Sequence, residues 1–179
     1  FDATRSLVGD GLYLTNESNW NGFTLALAGG ASYERHFGRM NVRPEVYAEY
    51  FGLSEDARSE KGAGNGFDLE IDERTGHIFS SVAAVNVGYG FGKDGWIRPE
   101  LRLGWRQNIS VDAGETIARF TGGGSDFKIT PASIEGGGPI AGIHLSAGNA
   151  RGKLSINADA EMIEDYVRYA LLLRASFKF

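Results

Sequence analysis

The stretch that decides the fold is VRYALLLRASFKF, which runs from Val167 to Phe179. Its odd-numbered positions are all apolar, whereas Arg168, Arg174 and Lys178 stand at even-numbered positions. This alternation of period two is typical of a β-strand with one apolar and one polar face. The stretch is also longer than the roughly 5–6 residues usual for strands in soluble sheets. It therefore predicts a long strand that separates two environments.

The same alternation recurs along the chain towards its first residue. It is clear in residues 23–34, 42–50, 77–91, 97–106, 141–147 and 153–162, and weaker in residues 1–14. Strands of about ten residues cross a bilayer when tilted, and a sheet in lipid must close to leave no unpaired edge. An even strand number suits such closure. We expect an all-β fold, an antiparallel transmembrane β-barrel of about eight strands, with residues 1–179 as a single outer-membrane domain.

The polar faces of these strands carry too many charges for a dry core, because charged side chains are almost never fully buried unless paired. They are predicted to line a wet lumen, with the apolar faces towards lipid. An arginine at Leu103 or Leu171 is then expected to destabilise the barrel, and one at Gly104 to matter less. The predicted lumen-lining residues are Arg43, Glu45, Glu49, Arg98, Glu100, Arg102, Arg106, Asp159, Glu161 and Arg168. The alternative is a soluble β-sandwich or lipocalin-like barrel with the charged faces outward.

The connections between the predicted strands alternate between short and long. Tight glycine-containing turns are predicted at 37–39, 92–95 and 148–152, and long polar segments at 53–66 and 110–131. Outer-membrane barrels have short periplasmic turns and longer loops outside the cell. The two long segments are therefore expected outside, with Phe179 at the periplasmic end of the last strand.

Composition argues against several kinds of chemistry. The absence of cysteine excludes a disulfide framework and thiolate catalysis, and a net charge of −5 with mixed signs disfavours nucleic acid as a partner. The three histidines have no metal-ligand spacing. Asp159 and Glu161, facing acidic residues across a lumen, could form a catalytic carboxylate pair, but a salt-bridge network with the lumenal arginines is favoured. No catalytic, cofactor-binding or metal-binding residue is predicted, and no cofactor.

Several motifs resemble the C-terminal translocator barrel of bacterial autotransporters, the type V secretion systems. They are Asn21-Gly22-Phe23-Thr24-Leu25, Arg43-Pro44-Glu45 followed by Tyr47 and Tyr50, the long predicted strand Asp68–Phe91, and the terminal aromatic Phe179. The resemblance implies that the last strand carries an assembly signal for the barrel-assembly machinery. The residues of that signal are Tyr169, Leu171, Leu173, Phe177 and Phe179.

This resemblance also implies a function and a set of partners. The chain is expected to anchor an N-terminal passenger domain in the bacterial outer membrane and to translocate it to the cell surface, in contact with outer-membrane lipid and lipopolysaccharide. The family barrel has twelve strands, so the chain is expected to be its C-terminal portion, with a self-contained eight-strand barrel as the alternative. An outer-membrane enzyme (a protease or a lipid hydrolase) and a small soluble lipid-binding barrel are the other candidates.

Overall fold

A computed structural model describes residues 1–64, 66–92, 96–149 and 151–177. Its elements within those ranges are β-strands. They are β1 (Asp2–Gly9), β2 (Leu12–Asn19), β3 (Gly22–Ser32), β4 (Arg35–Phe37), β5 (Met40–Glu55), β6 (Arg58–Ser59), β7 (Leu69–Ile71), β8 (Arg74–Tyr89), β9 (Ile97–Asp112), β10 (Thr116–Phe120), β11 (Phe127–Ile129), β12 (Gly137–Gly148), β13 (Gly152–Ile163) and β14 (Tyr166–Phe177). The described residues include no helix long and apolar enough to span a membrane.

The largest sheet has eight strands in the order β14-β13-β12-β9-β8-β5-β3, with β4 paired to β5. The resolved ladders β4–β5, β9–β12, β12–β13 and β13–β14 are antiparallel. Strands β5, β8 and β9 have 16 residues each, and β12, β13 and β14 have 12. The prediction of long antiparallel strands is confirmed, because seven of the predicted segments overlap the long strands of this sheet.

The prediction of an eighth strand of this sheet within residues 1–14 was wrong. Strands β1 and β2 instead form a two-stranded sheet of their own, joined by a two-residue turn between Gly9 and Leu12. Gly11 in this turn has a φ of 73°, a conformation that glycine adopts at little cost. The eighth strand of the large sheet is the short β4, which continues the line of β3 after a two-residue break.

The two long polar segments are more ordered than loops. Residues 53–66 contain β6, and residues 110–131 contain β10 and β11. Together with β7 these strands form a four-stranded sheet in the order β11-β10-β7-β6. Glu55 and Glu60 are buried in this part of the chain, which a flexible loop would not achieve.

Two of the tight turns are built from residues with positive φ. Gly38 (φ 64°) joins β4 to β5 and fulfils the predicted turn. Glu164 (φ 51°) stands in the two-residue turn between Ile163 and Tyr166, where an L-residue is strained. Residues 93–95 and 150, which belong to the other two predicted turns, lie outside the described ranges.

The chain divides into two compact units. The first unit comprises Phe1–Leu27, Tyr50–Ile78 and Val111–Ser133, and the second comprises Ala28–Glu49, Phe79–Ser110 and Ile134–Phe179. In the second unit the buried residues include apolar ones, such as Val82 and Ile140, and polar ones, such as Asn86 and Arg106. Its large apolar residues are mostly exposed, so its pattern is the reverse of a soluble domain.

Candidate functional site: the charged face of the second unit

The charged face arises from the register of three adjacent strands. Directly opposite residues of an antiparallel pair lie on the same side of the sheet. Arg102 of β9 is opposite Gly142 of β12, which is opposite Asp159 of β13. Arg106 is opposite Gly138 in the same way. The alternation within each strand therefore places the arginines of β9 and the carboxylates of β13 on one face.

Arg102 is held from both sides of its own strand. Its Nη2 atom lies 2.9 Å from Oε1 of Glu45 and donates a 3.0 Å hydrogen bond to the Tyr47 hydroxyl. Its Nη1 atom lies 3.4 Å from Oδ1 of Asp159. Glu45 and Tyr47 belong to β5 and Asp159 to β13, two strands away from β9 in either direction. A single guanidinium reaches both because the sheet of this unit curves around its charged face.

Arg106 repeats this arrangement four residues further along β9. Its Nη1 atom donates to Oε2 of Glu49 at 2.5 Å and to Oγ of Ser80 at 2.8 Å. Its Nε atom lies 2.6 Å from Oε1 of Glu161, an ion-pair contact without hydrogen-bond geometry. Only 8% of the Arg106 side chain is exposed, so its charge depends on these carboxylates.

A third cluster connects Arg43 to Arg102. The Arg43 Nη2 atom donates to Oε1 of Glu100 at 2.9 Å, and the same oxygen lies 3.5 Å from Nδ1 of His144. The opposite nitrogen of His144, Nε2, lies 3.1 Å from Oδ1 of Asp159, the carboxylate that also contacts Arg102. Three carboxylates, two arginines and one histidine thus form a continuous chain of contacts across the sheet.

Nine of the ten predicted lumen residues take part in these ion pairs. Arg168 joins through Glu161, to which its Nη2 atom donates at 2.7 Å. Arg98 lies half-buried on β9 and makes none of the ion pairs found within the described ranges. Tyr47, Ser80 and His144 also belong to the charged face but were not among the predicted lumen residues. Each stands on the more polar side of its strand's two-residue alternation, which was the available signal.

Glycines provide the space that the long side chains need. A Cβ atom at Gly142 would collide with the Asp159 carboxylate, and one at Gly138 with the Met162 carbonyl. A Cβ atom at Gly104 would lie 2.6 Å from the Cβ of Ala84 and 2.7 Å from the carbonyl oxygen of Ala83. A side chain at Gly104 therefore requires β8 or β9 to shift, which argues against the expectation that an arginine there matters less than one at Leu103.

The opposite face of the same strands is apolar and exposed. On β9, Leu103 is 53% and Trp105 52% exposed, and Ile143 and Leu145 on β12 are also exposed. The soluble alternative, with the charged faces outward, conflicts with this arrangement. In the structure the ion-paired side chains are the more buried ones, and the large apolar side chains are exposed.

Four residues of the predicted assembly signal lie on β14. Tyr169, Leu171, Leu173 and Phe177 are all exposed, and all share one side of the strand. Phe179, the fifth, lies outside the described residues. These positions leave the assembly role a prediction.

The acidic residues of the charged face are separated by arginines. Arg102 stands between Glu45 and Asp159, and Arg106 between Glu49 and Glu161. No group of three or more potential metal ligands is present among the residues that the structure describes. The arrangement stabilises a curved sheet by ion pairing, the role favoured over a catalytic carboxylate pair.

Long antiparallel strands, an ion-paired polar face and an exposed apolar face define the class of membrane-spanning β-barrels. The family model described as "Autotransporter beta-domain" matches residues 1–161, and the chain belongs to this family. A search of curated proteins found no match. The family is one of outer-membrane β-barrels of Gram-negative bacteria, and the chain is a translocator that anchors and exports an N-terminal passenger domain. The β-domain is not catalytic by itself.

Proposed function

We propose that the charged face of the second unit lines the lumen through which the passenger crosses the outer membrane. The proposal rests on the contrast between the two sides of β9. On one side the Arg106 side chain is nearly buried and contacts the carboxylates of Glu49 and Glu161. The neighbouring Trp105 is 52% exposed on the other side. This contrast supports a boundary between water and hydrocarbon, because ion pairs favour polar surroundings and a continuous exposed apolar face favours lipid.

The ten predicted lumen residues are balanced in charge. Its five carboxylates, from Glu45, Glu49, Glu100, Asp159 and Glu161, stand against five arginines, from Arg43, Arg98, Arg102, Arg106 and Arg168. Paired charges of both signs produce little net field along the wall. A polypeptide of either charge can then slide past without binding tightly, which suits a conduit for a long passenger.

Under this proposal residues 1–179 act as one barrel domain, and no residue performs catalysis. The apolar faces contact outer-membrane lipid and, at the outer leaflet, lipopolysaccharide. The last strand is recognised by the barrel-assembly machinery through Tyr169, Leu171, Leu173, Phe177 and Phe179. Support comes from the apolar side of β14, on which every described residue is exposed.

Cysteine accessibility tests the lumen assignment. The chain has no cysteine, so single-cysteine variants carry one label site each. Asn157→Cys and Ala158→Cys form a matched pair, because these neighbours lie in the middle of β13 and face opposite sides. A water-soluble maleimide applied to outer-membrane vesicles should label Asn157→Cys quickly and leave Ala158→Cys protected by lipid.

A stalled passenger separates a lumen from any other aqueous surface. Fusing a stably folded domain to the passenger should arrest export with polypeptide inside the barrel, and labelling of Asn157→Cys should then slow while that of Ala158→Cys stays unchanged. If Ala158→Cys reacts as fast as Asn157→Cys in vesicles, the two faces are assigned to the wrong environments. If stalling leaves both rates unchanged, the passenger does not travel along this face.

A further inference from the structure

The first unit contains a cleft of about 810 Å³. One wall of the cleft is formed by β1 and β2 and by Lys61, which lies two residues after β6 and forms a β-bridge with Glu17. Thr4 is directly opposite Glu17, and Glu17 is opposite Lys61. Opposite residues share a face of a sheet, so these three side chains stand side by side.

The same face continues on the other side of the cleft. Ser59 lies two residues from Lys61 and therefore on the same side of its strand. It is opposite Glu70 of β7, which is opposite Arg119 of β10. A single polar surface thus crosses β1, β2, β6, β7 and β10 and lines the cleft.

The hydrogen-bond ladder between β2 and the segment around β6 is interrupted at the cleft. Glu17 and Lys61 exchange two backbone hydrogen bonds of 2.8 and 2.9 Å. Further along, the Asp56 N–H donates a 2.9 Å hydrogen bond to the Asn21 carbonyl. The two segments are therefore joined on both sides of a short gap.

Asn19 and Ser59 stand opposite each other inside that gap. In an antiparallel pair every second residue turns its N–H and C=O groups towards the same neighbour. Asn19 is two residues from Glu17 and Ser59 two residues from Lys61, so their backbone groups face one another. Within the described residues β2 pairs with β1 and not with β6, and the bridge between Glu17 and Lys61 does not continue to Asn19 and Ser59. The sheet is therefore open at this point, beside the polar side chains of the cleft.

Two of the three cations that line the cleft, Arg119 and Arg58, already contact other side chains. The charges of Asp72 and Asp126 raise the pKa of the Arg119 guanidinium, and both carboxylates form ion pairs with it. The Arg58 guanidinium lies over the Trp20 ring, 4.0 Å from its centroid. The third cation of the lining, Lys61, stands opposite the Glu17 carboxylate. The lining has four carboxylates, from Asp2, Glu17, Glu70 and Asp72, against three cations, so its net charge disfavours a phosphate.

We propose that this cleft binds a saccharide, that is, a neutral ligand rich in hydroxyl groups. Each sugar hydroxyl both donates and accepts a hydrogen bond, and the lining offers matching partners in the Thr4 and Ser59 hydroxyls, the Glu17 carboxylate and the Asn19 amide. An apolar ligand would leave these groups unpaired at a free-energy cost. The volume lies within the range of roughly 300–1,000 Å³ of small-ligand sites.

A polypeptide strand does not fit the gap in the same way. The backbone bonds at Glu17 and at Asn21 hold the two segments together on either side of Asn19. A strand that paired with both segments would need about twice the ordinary spacing of roughly 4.8 Å over its whole length. The gap instead suits a compact ligand such as a sugar ring.

Binding is measured on the intact protein, purified in a detergent without a sugar head group because maltoside detergents would compete. The probes are the polysaccharide released from the producing cell's own lipopolysaccharide, maltotriose and chitotriose, each followed by saturation-transfer NMR. Glu17→Gln and Ser59→Val alter the cleft, and Asp10→Asn removes a carboxylate at the β1–β2 turn as the matched control. At least one saccharide should bind saturably, with affinity about tenfold lower in either cleft variant and unchanged in Asp10→Asn.

Wild-type protein supplies a second measurement that does not depend on the variants. The bound saccharide should slow amide hydrogen exchange at Asn19 and Ser59. Binding of the cell's own polysaccharide alone identifies the ligand as part of its own surface, and binding of maltotriose or chitotriose identifies a foreign glycan. The proposal is overturned if no probe saturates, if Glu17→Gln and Ser59→Val bind like the wild type, or if a polar peptide of mixed charge binds the cleft while the saccharides do not. None of these outcomes depends on passenger export.

Discussion

Replacing Arg106 by methionine should destabilise the refolded barrel by about 2–3 kcal/mol. Breaking a buried ion pair by removing one partner costs about 3–5 kcal/mol, because a charge is left without compensation. Here Glu161 is 12% exposed and would lose that partner, although it keeps Arg168. Glu49 is 39% exposed, so solvent compensates much of its loss. Ser80 also loses its donor. The expected value therefore lies below the full penalty.

Arg168→Met is the matched control for this change. It removes the same functional group from the same carboxylate, but the Arg168 side chain is 54% exposed, so the loss should stay below about 1 kcal/mol. Urea unfolding in detergent micelles, followed by tryptophan fluorescence, measures both. Adding Glu161→Gln to Arg106→Met should restore part of the stability, because the stranded charge is then removed. Equal losses in Arg106→Met and Arg168→Met would refute the view that burial makes the Arg106 pairs important.

Four further predictions follow from particular positions. Leu103→Arg should lower the free energy of unfolding by about 2–4 kcal/mol in lipid vesicles if β9 presents this side chain to mid-bilayer lipid; no loss would contradict that placement. Glu164→Gly should raise it by about 1 kcal/mol in the same urea titration, because φ there is 51° and glycine adopts it without strain. Gly142→Ala should lower the thermal midpoint, since the new Cβ displaces the Asp159 carboxylate from its ion pairs, and an unchanged midpoint would mean that this side chain moves aside without cost. Phe179→Ser should sharply reduce outer-membrane abundance in cells while changing refolded stability by at most about 1.5–3 kcal/mol; unchanged abundance would refute the assembly signal.

Alternation of period two was sufficient to predict the long strands and their faces. In β9 it separated Arg98, Glu100 and Arg102 from Leu101 and Leu103, and the burial of β9 follows that division. The pattern is strong in such strands because each lies between two different environments along its whole length. The same physics makes β14 the clearest strand in the sequence.

The strands of the first unit were missed because they are short. Strand β6 has two residues and β11 has three, too few for any alternation to show. The β1–β2 hairpin did leave a signal, since Asp10-Gly11 is a dipeptide that favours a two-residue hairpin turn. Treating residues 1–14 as one strand overlooked it.

The sequence could not predict which residues of the charged face form ion pairs with one another. Arg102 and Glu45 are separated by 57 positions, and their contact depends on the register of β5, β8 and β9 and on the curvature of the sheet. Parity assigns a side chain to a face but does not say which neighbour it meets. The same limit applies at Gly104, where the pattern assigned the face but could not show the contact with Ala84.

The ends of the strand order impose a final requirement. Strands β3 and β14 occupy the end positions of the large sheet, and every residue of both is exposed, including the apolar Leu172 on the side of β14 that carries Arg168 and Arg174. In hydrocarbon an unpaired strand edge leaves N–H and C=O groups without partners, at several kcal/mol each. In the membrane each of these two strands therefore needs a neighbour on its open side. Pairing of β14 with β3 would meet this need within residues 1–179 and close the sheet, and further strands of the twelve-strand barrel implied by the autotransporter resemblance are the alternative.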